Sequence, residues 1–159
     1  FGGGGLSFAA AGTKLFDLLS KQRASMIVCS DKVNQLRHLG FLKNKAEVEN
    51  HMKKHADLVR PKFEAAFNAL DAMSPDIGNY KKPTGGYFIS FNASKPIAKR
   101  VIELCKEAGV LITPAGSTYP HFNDPQDSNI RLAPTFLGLD DLKEAMEVFT
   151  TALKIAFEE

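Results

Sequence analysis

Arg131 is the side chain whose setting most directly suggests binding chemistry. It lies in the run Asn129, Ile130, Arg131, Leu132, where apolar and polar residues alternate. The alternation predicts a strand with Ile130 and Leu132 on one face and Arg131 on the other. A guanidinium fixed on a strand can hold a carboxylate through two parallel hydrogen bonds. From local sequence alone, a solvated charge on an exposed strand is the more common role for such an arginine.

Four consecutive glycines, Gly2 to Gly5, are a second candidate for binding. Glycine adopts left-handed and extended backbone shapes without strain, so several amide hydrogens can turn toward one anion such as a phosphate. A flexible chain end is the alternative interpretation of the same run, because permissive backbone serves many purposes.

The remaining candidates carry little chemistry. His51 and His55 lie four residues apart on a predicted helix, a spacing that can bind zinc. Because Lys53 and Lys54 lie between them and no third ligand is in view, a solvated helix face is the stronger interpretation, and we predict no metal site. No nearby base marks an activated serine or cysteine nucleophile.

The strongest periodicity predicts the element that precedes these strands. Apolar residues recur every three or four positions over residues 47–73, the period of one helix face. Pro61 lies inside this helix and lacks an amide hydrogen, so we expect a bend just before it. Residues 6–19 are compatible with a helix, residues 25–29 with a short apolar segment, and residues 30–46 with irregular or weakly helical structure.

The second half of the chain alternates strands and helices. The aromatic and β-branched composition of residues 87–91 predicts a strand, and Ser94 is placed to cap a helix that ends before Gly109, a typical left-handed C-terminal cap. Residues 110–113 and 129–132 then predict two more strands, and a last helix begins near Asp140. This order predicts an α+β fold with helices against one face of a small sheet.

Composition excludes several classes of protein. The formal charge of +2 gives no argument for a nucleic-acid or anionic-membrane partner. No apolar run approaches the roughly 20 residues that span a bilayer, and no secretory signal is visible. The two cysteines, Cys29 and Cys105, do not suggest a disulfide scaffold. We therefore expect a cytoplasmic location.

Five motifs, taken in order, resemble the fold-type-I pyridoxal-phosphate-dependent aminotransferases of class I and II, particularly a bacterial subgroup similar to aspartate aminotransferase. The resemblance covers essentially the whole chain. The motifs are the glycine run at residues 2–5, the stretch 31–38, the turn and strand Pro83-Thr84-Gly85-Gly86-Tyr87-Phe88, the strand and loop at residues 108–116, and Asn129-Ile130-Arg131-Leu132-Ala133.

The resemblance implies a fold and a cofactor. Residues 1–46 would be the tail of a large cofactor-binding domain with an interdomain segment, and residues 47–159 the small C-terminal α+β domain of an α/β parent. The cofactor would be pyridoxal 5′-phosphate, with Gly4 and Gly5 as contacts to it. The Schiff-base lysine would lie before Phe1, so we expect the chain alone to be inactive. Leu6 falls near the place of the family's phosphate-binding arginine, which puts more of the phosphate contact on glycine backbone.

The resemblance also implies substrates and a partner. Arg131 would bind the substrate α-carboxylate, with Asn129 in the same segment as a further substrate-binding residue. The parent would transfer an amino group between an amino acid, aspartate or glutamate, and a 2-oxo acid, and it would be a homodimer. Arg37 would reach across the subunit interface to the distal carboxylate, with Lys32 as the alternative and a solvated surface charge as the competing interpretation.

Two other functions stay open at this point. A non-catalytic small-molecule-binding or regulatory α+β module fits the missing lysine and the compactness expected after residue 47. A pyridoxal-phosphate enzyme of the same fold that performs decarboxylation or β-elimination also fits, because fold does not fix reaction type.

Overall fold

The computed structural model describes residues 4–7 and 10–159. The chain divides into two compact units, Phe1–Lys54 and His55–Glu159. The assignment of residues 1–46 and 47–159 to two domains of a larger parent stays a prediction.

The first unit is helical where it is described. Helix α1 spans Thr13–Met26, later than the predicted 6–19, of which residues 8 and 9 lie outside the described residues. Its last turn occupies the start of the predicted apolar segment 25–29. None of the residues of α1 is buried in the part of the chain that the structure describes.

Of the two alternatives left open for residues 30–46, irregular or weakly helical structure, the helical one holds for most of that segment. Helix α2 spans Lys32–Phe41, and Asp31 caps it because its Oδ1 accepts a hydrogen bond from the Asn34 amide at 2.9 Å. Such a cap satisfies a donor that the first helical turn leaves unpaired.

Helix α3 spans Lys45–Asp71 and contains Pro61, so the long helix predicted over residues 47–73 is confirmed. The bend near Pro61 stays a prediction. In the second unit, Ala66 and Leu70 of α3 are buried.

The second unit is built on a three-stranded antiparallel sheet. Strands β1 (Gly78–Tyr80), β2 (Ile89–Ala93) and β3 (Asn129–Leu132) lie in the order β1-β2-β3. Arg131 pairs with Ser90 and Asn129 with Asn92. The prediction of β3 is confirmed, whereas the predicted strand 87–91 begins two residues later, at Ile89.

The strand predicted over residues 110–113 is wrong. The segment has no regular secondary structure and pairs with no strand of the sheet that the structure describes. Its first amide, Val110 N, donates to the Cys105 carbonyl at 2.8 Å, and Leu111 is exposed. An apolar β-branched run satisfies strand composition, but composition does not establish pairing, and the outer edge of β3 has no partner in the described sheet.

Helices α4 (Ala98–Glu107) and α5 (Leu139–Glu158) complete the unit, together with a 3₁₀ turn at Pro120–Phe122. The predicted Ser94 cap is wrong, because α4 has Ile97 at its N-cap and the Ser94 hydroxyl instead donates to the Ile77 carbonyl at 3.1 Å. Gly109 has φ +86°, which confirms the predicted left-handed residue after the helix.

The core lies between one face of the sheet and the helices. Along β2, Ile89, Phe91 and Ala93 are buried, while Ser90 and Asn92 are exposed. Phe91 meets Phe149 of α5 edge to face, with ring centroids 5.9 Å apart, a favourable aromatic arrangement. The predicted α+β class, a small sheet covered by helices, is confirmed. No described helix is both long and apolar enough to cross a membrane.

Candidate functional site

The polar face of the sheet carries the candidate site. Side chains alternate between faces along a strand, so the residues opposite the buried Ile130 and Leu132 belong to one surface. On β3 these are Asn129 and Arg131, and on β2 they are Ser90 and Asn92. The second face of the sheet is therefore a compact row of polar groups.

Arg131 is held against an aromatic ring at one end of this row. Its guanidinium carbon lies 4.7 Å from the centroid of the Phe88 ring, within the range of an attractive cation–π contact. Its Nε is buried and has no hydrogen-bond partner among the residues that the structure describes. A buried, unpaired donor of a charged group is costly, which makes this edge of the guanidinium a candidate for binding an acceptor.

A cavity of about 110 Å³ adjoins Arg131. Apart from Arg131 and Thr113, most of the lining side chains are aliphatic or aromatic, and they come from the segment after α4, from the end of β3 and from α5. They include Val110, Ile112, Leu137, Leu142, Met146 and Phe149. Leu142, Met146 and Phe149 belong to the core on the covered face of the sheet, so the cavity shares its lining with that face.

Asn129 is fully engaged within the chain. Its Nδ2 donates to Ser90 Oγ at 2.9 Å and to Asn92 Oδ1 at 2.7 Å. Its Oδ1 accepts from Thr118 Oγ1 at 2.7 Å. The amide thus joins both strands and the loop before β3. These hydrogen bonds stabilise the pairing of β2 with β3. The substrate-binding role implied for Asn129 stays a prediction.

Asp124 fixes the turn that leads into β3. Its Oδ2 accepts hydrogen bonds from the Ser128 amide at 2.9 Å and from the Asn129 amide at 2.8 Å. Burial raises the pKa of this carboxyl, but hydrogen bonds from the amides of Asn129, Gln126 and Ser128 lower it by more, so the pKa lies below the ordinary value of 3.8. The ionised form is the one that holds the turn.

The glycine run lies in the first unit, and only Gly4 and Gly5 of it are described. Gly5 is exposed, and a Cβ added there would meet no atom within 4 Å. Its carbonyl accepts a hydrogen bond from Asn34 Nδ2 at 3.3 Å. The open approach fits a phosphate bound by backbone amides, and no cationic side chain stands among residues 4–7 to replace them.

Arg37 and Lys32 both lie on α2 and are exposed. Both therefore lie on a regular helix, the helical alternative that the sequence left open for residues 30–46. Their role toward a distal carboxylate stays a prediction.

The structure groups some of the predicted residues and leaves the others separate. Arg131 and Asn129 share one face of β3 in the second unit, while Gly4, Gly5 and Arg37 belong to the first unit. The sequence interpretation did not assign a role to Phe88, Thr118 or Asp124. Alternation along residues 88, 90 and 92 would have placed Phe88 on the Arg131 face, but its cross-strand neighbour depends on a register that the sequence does not show.

The two helix histidines carry no metal signature. His51 meets Phe41 edge to face, with centroids 5.0 Å apart. Among the described residues, no group of three His, Cys, Asp or Glu side chains is arranged to hold a metal ion.

Comparison with known proteins identifies what the chain resembles. The family model described as aspartate amino-transferase matches residues 1–159. A protein of Mycolicibacterium smegmatis named as an aminotransferase is 37% identical over 161 residues, 100% of this chain and 38% of that protein. The aspartate aminotransferase of Corynebacterium glutamicum is 40% identical over 131 residues, 81% of this chain and 30% of that enzyme. The chain thus spans well under half the length of these curated relatives.

Solved structures agree on the fold. A crystal structure of a Corynebacterium diphtheriae protein described as an aminotransferase superposes with a TM-score of 0.83 at 37% identity, covering 94% of this chain and 37% of that one. LysN, an α-aminoadipate aminotransferase of Thermus thermophilus, gives a TM-score of 0.73 at 21% identity over 93% of this chain and 37% of its own, which shows the fold alone.

A further sequence relative is a transcriptional regulator. NorG of Staphylococcus aureus is 24% identical over 153 residues, 94% of this chain and 33% of the regulator.

Proposed function

The chain belongs to the aspartate amino-transferase family, and from that premise we propose that the whole protein moves an amino group between an amino acid and a 2-oxo acid. Its cofactor is pyridoxal 5′-phosphate, and its preferred amino donor is aspartate or glutamate. The donor is supported by the family description and by the aspartate aminotransferase relative, which is 40% identical.

The observation that carries this proposal is the state of Arg131. Its guanidinium lies against Phe88 at 4.7 Å, and its buried Nε lacks a partner within the described residues. A planar guanidinium with an unused edge binds a carboxylate through two parallel hydrogen bonds. In the proposed reaction Arg131 holds the substrate α-carboxylate and so fixes the orientation of the α-carbon.

The residues of this chain bind and orient, and the reaction requires a group that they do not contain. When bound, pyridoxal phosphate supplies an electron sink for the bond that breaks at the substrate α-carbon. Gly4 and Gly5 are our proposed backbone contacts for its phosphate, a proposal supported by the open approach to Gly5. LysN, whose crystal structure contains N-(5′-phosphopyridoxyl)-L-leucine, is a neighbour that binds such a group.

The orientation set by Arg131 decides which bond to the α-carbon is broken. Arg37 is our proposed contact for the distal carboxylate of a dicarboxylic substrate, on the ground of its planar cationic fork.

The test of the proposal is transamination by the whole protein, with aspartate as donor and 2-oxoglutarate as acceptor, followed by formation of glutamate. We expect Arg131→Lys to lower kcat/KM by roughly tenfold to a hundredfold, because the charge is kept but the bidentate geometry is lost. A wild-type protein, loaded with cofactor, that yields no glutamate from aspartate or any other amino acid would exclude the transaminase function.

Arg100 offers a matched control for this substitution. It lies on α4 and forms a bidentate pair with Glu159, with Nε and Nη2 each 2.7 Å from a carboxylate oxygen. Arg100→Lys therefore breaks the same kind of geometry away from the proposed site. Its kcat/KM should stay within about twofold of wild type, because exposed pairs contribute little.

A regulatory module is the second candidate, and the similarity to NorG over 94% of this chain favours it. Such a module would bind an amino or 2-oxo acid through Arg131 without converting it. The two candidates separate in one experiment, since the module binds ligand but produces no keto acid from an amino acid at any enzyme concentration.

We further propose that the whole protein is a homodimer located in the cytoplasm. The dimer is supported by the resemblance to enzymes whose sites lie at a subunit interface. Sedimentation of the whole protein would test the assembly.

A further inference from the structure

The polar face of the sheet contains an aromatic residue that the proposed mechanism does not use. Phe88 directly precedes β2 and follows the turn with Gly85 and Gly86. Phe88 is 50% exposed, so its side chain contributes little to the core. Its one described ring contact with a charged group is the Arg131 guanidinium, 4.7 Å away.

We propose that Phe88 is a positioning residue for Arg131, holding the guanidinium by its face so that one edge stays directed at a carboxylate. This inference rests on the proposed carboxylate-binding role of Arg131. The acidic groups that usually fix an arginine do not do so here, because no ion pair involves Arg131 among the described residues.

The choice of an aromatic ring over a carboxylate has a physical reason. A protein carboxylate would occupy the same donors that the substrate must use, and it would neutralise the charge. A ring attracts the cation through its face while leaving the donors in the guanidinium plane unused. The buried Nε of Arg131, without a partner in the described part of the chain, agrees with this division.

The backbone beneath the pair is also fixed. Ser90 is the register partner of Arg131, and its hydroxyl accepts the Asn129 amide at 2.9 Å. Asn129 in turn is held to Asn92 and Thr118. Because both strands are pinned beside the pair, the backbone positions from which the ring and the guanidinium project are fixed before a ligand arrives. Binding then needs less ordering of the arginine side chain.

The test compares Phe88→Leu with Phe88→Tyr in the whole protein. Leucine keeps apolar bulk but removes the ring quadrupole, whereas tyrosine keeps the ring. The probe is succinate, a carboxylate that cannot react, and its dissociation constant is measured by calorimetry with and without cofactor. We expect Phe88→Leu to raise that constant roughly threefold to tenfold and Phe88→Tyr to change it by less than about twofold.

A double-mutant cycle separates positioning from general damage. In an Arg131→Ala background the leucine substitution should have no further effect on succinate binding, because there is no guanidinium left to hold. In turnover, Phe88→Leu should raise KM for the amino acid more than it lowers kcat, since the lost interaction acts on binding of the carboxylate.

The outcomes distinguish the inference from the proposed function. An unchanged succinate constant in Phe88→Leu, or an equal weakening with and without Arg131, would overturn the role of Phe88. Failure of the wild type to bind succinate, or a succinate dissociation constant that Arg131→Ala leaves unchanged, would overturn it as well. A wild type that binds succinate through Arg131 but does not transaminate would refute the enzymatic function and leave the Phe88 test valid.

Discussion

The two faces of the three-stranded sheet are built from the same short strands and do different work. On one face, Ile89, Phe91 and Ile130 are at most 1% exposed and pack into the core. On the other, Asn129 donates a hydrogen bond to Ser90, and Arg131 makes a cation–π contact with Phe88. Because side chains alternate strictly, each strand contributes to stability and to the candidate site at once. The comparison predicts that substitutions one residue apart have separable effects.

The largest effect is expected on the covered face, from Phe91→Ala. Phe91 is 1% exposed and meets Phe149 edge to face. Its loss leaves a cavity that the surrounding core fills only in part, so we expect the free energy of unfolding to fall by about 3–5 kcal/mol. Urea denaturation measures the change.

Phe88→Leu is the matched control for that variant, because it shortens an aromatic side chain three residues away on the opposite face. Phe88 is half exposed, so the substitution should change the free energy of unfolding by less than about 1 kcal/mol. Similar losses in the two variants would refute the division of labour between the faces.

The next effect concerns Asn129→Ala and would show how far the polar face also stabilises the fold. The substitution leaves Thr118 Oγ1, Ser90 Oγ and Asn92 Oδ1 without the amide that joins them. Removing a buried partner costs about 1–3 kcal/mol when the remaining groups stay dry. We expect a loss in that range by urea denaturation, and no measurable loss would mean that water replaces the amide.

Local pattern was sufficient for elements whose residues carry their own signal. The apolar stripe of residues 139–158 predicts helix α5. Gly109 predicts the left-handed end of α4, and strict alternation predicts β3. Strand β1 gives no such signal, since Gly78 and Asn79 favour a turn. Its pairing with β2 requires glycine at residue 78, because an added Cβ would lie 2.5 Å from the Asn92 carbonyl oxygen and from the Phe91 ring. That requirement is a contact between distant residues, and no local pattern contains it.

The candidate site divides in the same way. Arg131 was identified from its strand and from a family motif. Its ring partner Phe88 and the hydrogen-bonding partners of Asn129 were not identified. Those contacts depend on the pairing of Ser90 with Arg131, and pairing register is set by the whole core, not by either strand. Conversely, the apolar run at residues 110–113 satisfied strand composition without a partner, so composition alone gave a wrong strand.

A smaller effect tests whether the polar face recognises the entire substrate. It offers one proposed carboxylate receptor, Arg131, whereas aspartate has two carboxylates. If Arg37 on α2 binds the second, Arg37→Ala in the whole protein should lower kcat/KM for aspartate by about tenfold and leave that for alanine nearly unchanged. An unpaired carboxylate in a desolvated site is costly, whereas a methyl group never used the contact.

Steady-state kinetics with both donors measures the contrast. Equal losses for aspartate and alanine would assign Arg37 to the structure of the protein, and no loss for either would remove it from the site. Lys32→Ala, on the same helix and equally exposed, is the control and the test of the alternative residue.

The smallest effect is a dependence on pH that the covered face should not show. The Asp124 carboxylate holds the Ser128 and Asn129 amides at the entry to β3, and its pKa lies below 3.8 because those hydrogen bonds favour the ionised form. A carboxyl with a lowered pKa in the folded state contributes stability that is complete above the unfolded-state pKa. That contribution is lost as the pH falls through the folded-state pKa. We therefore expect the wild type to lose stability below about pH 4, and Asp124→Asn to lower stability at neutral pH while flattening that acid limb. Urea denaturation between neutral pH and pH 3 compares the two proteins, and because the Asp71 carboxyl also has a lowered pKa, the informative quantity is their difference. If that difference were constant with pH, the turn would be held by its backbone alone, and the polar face would be as insensitive to protonation as the apolar face behind it.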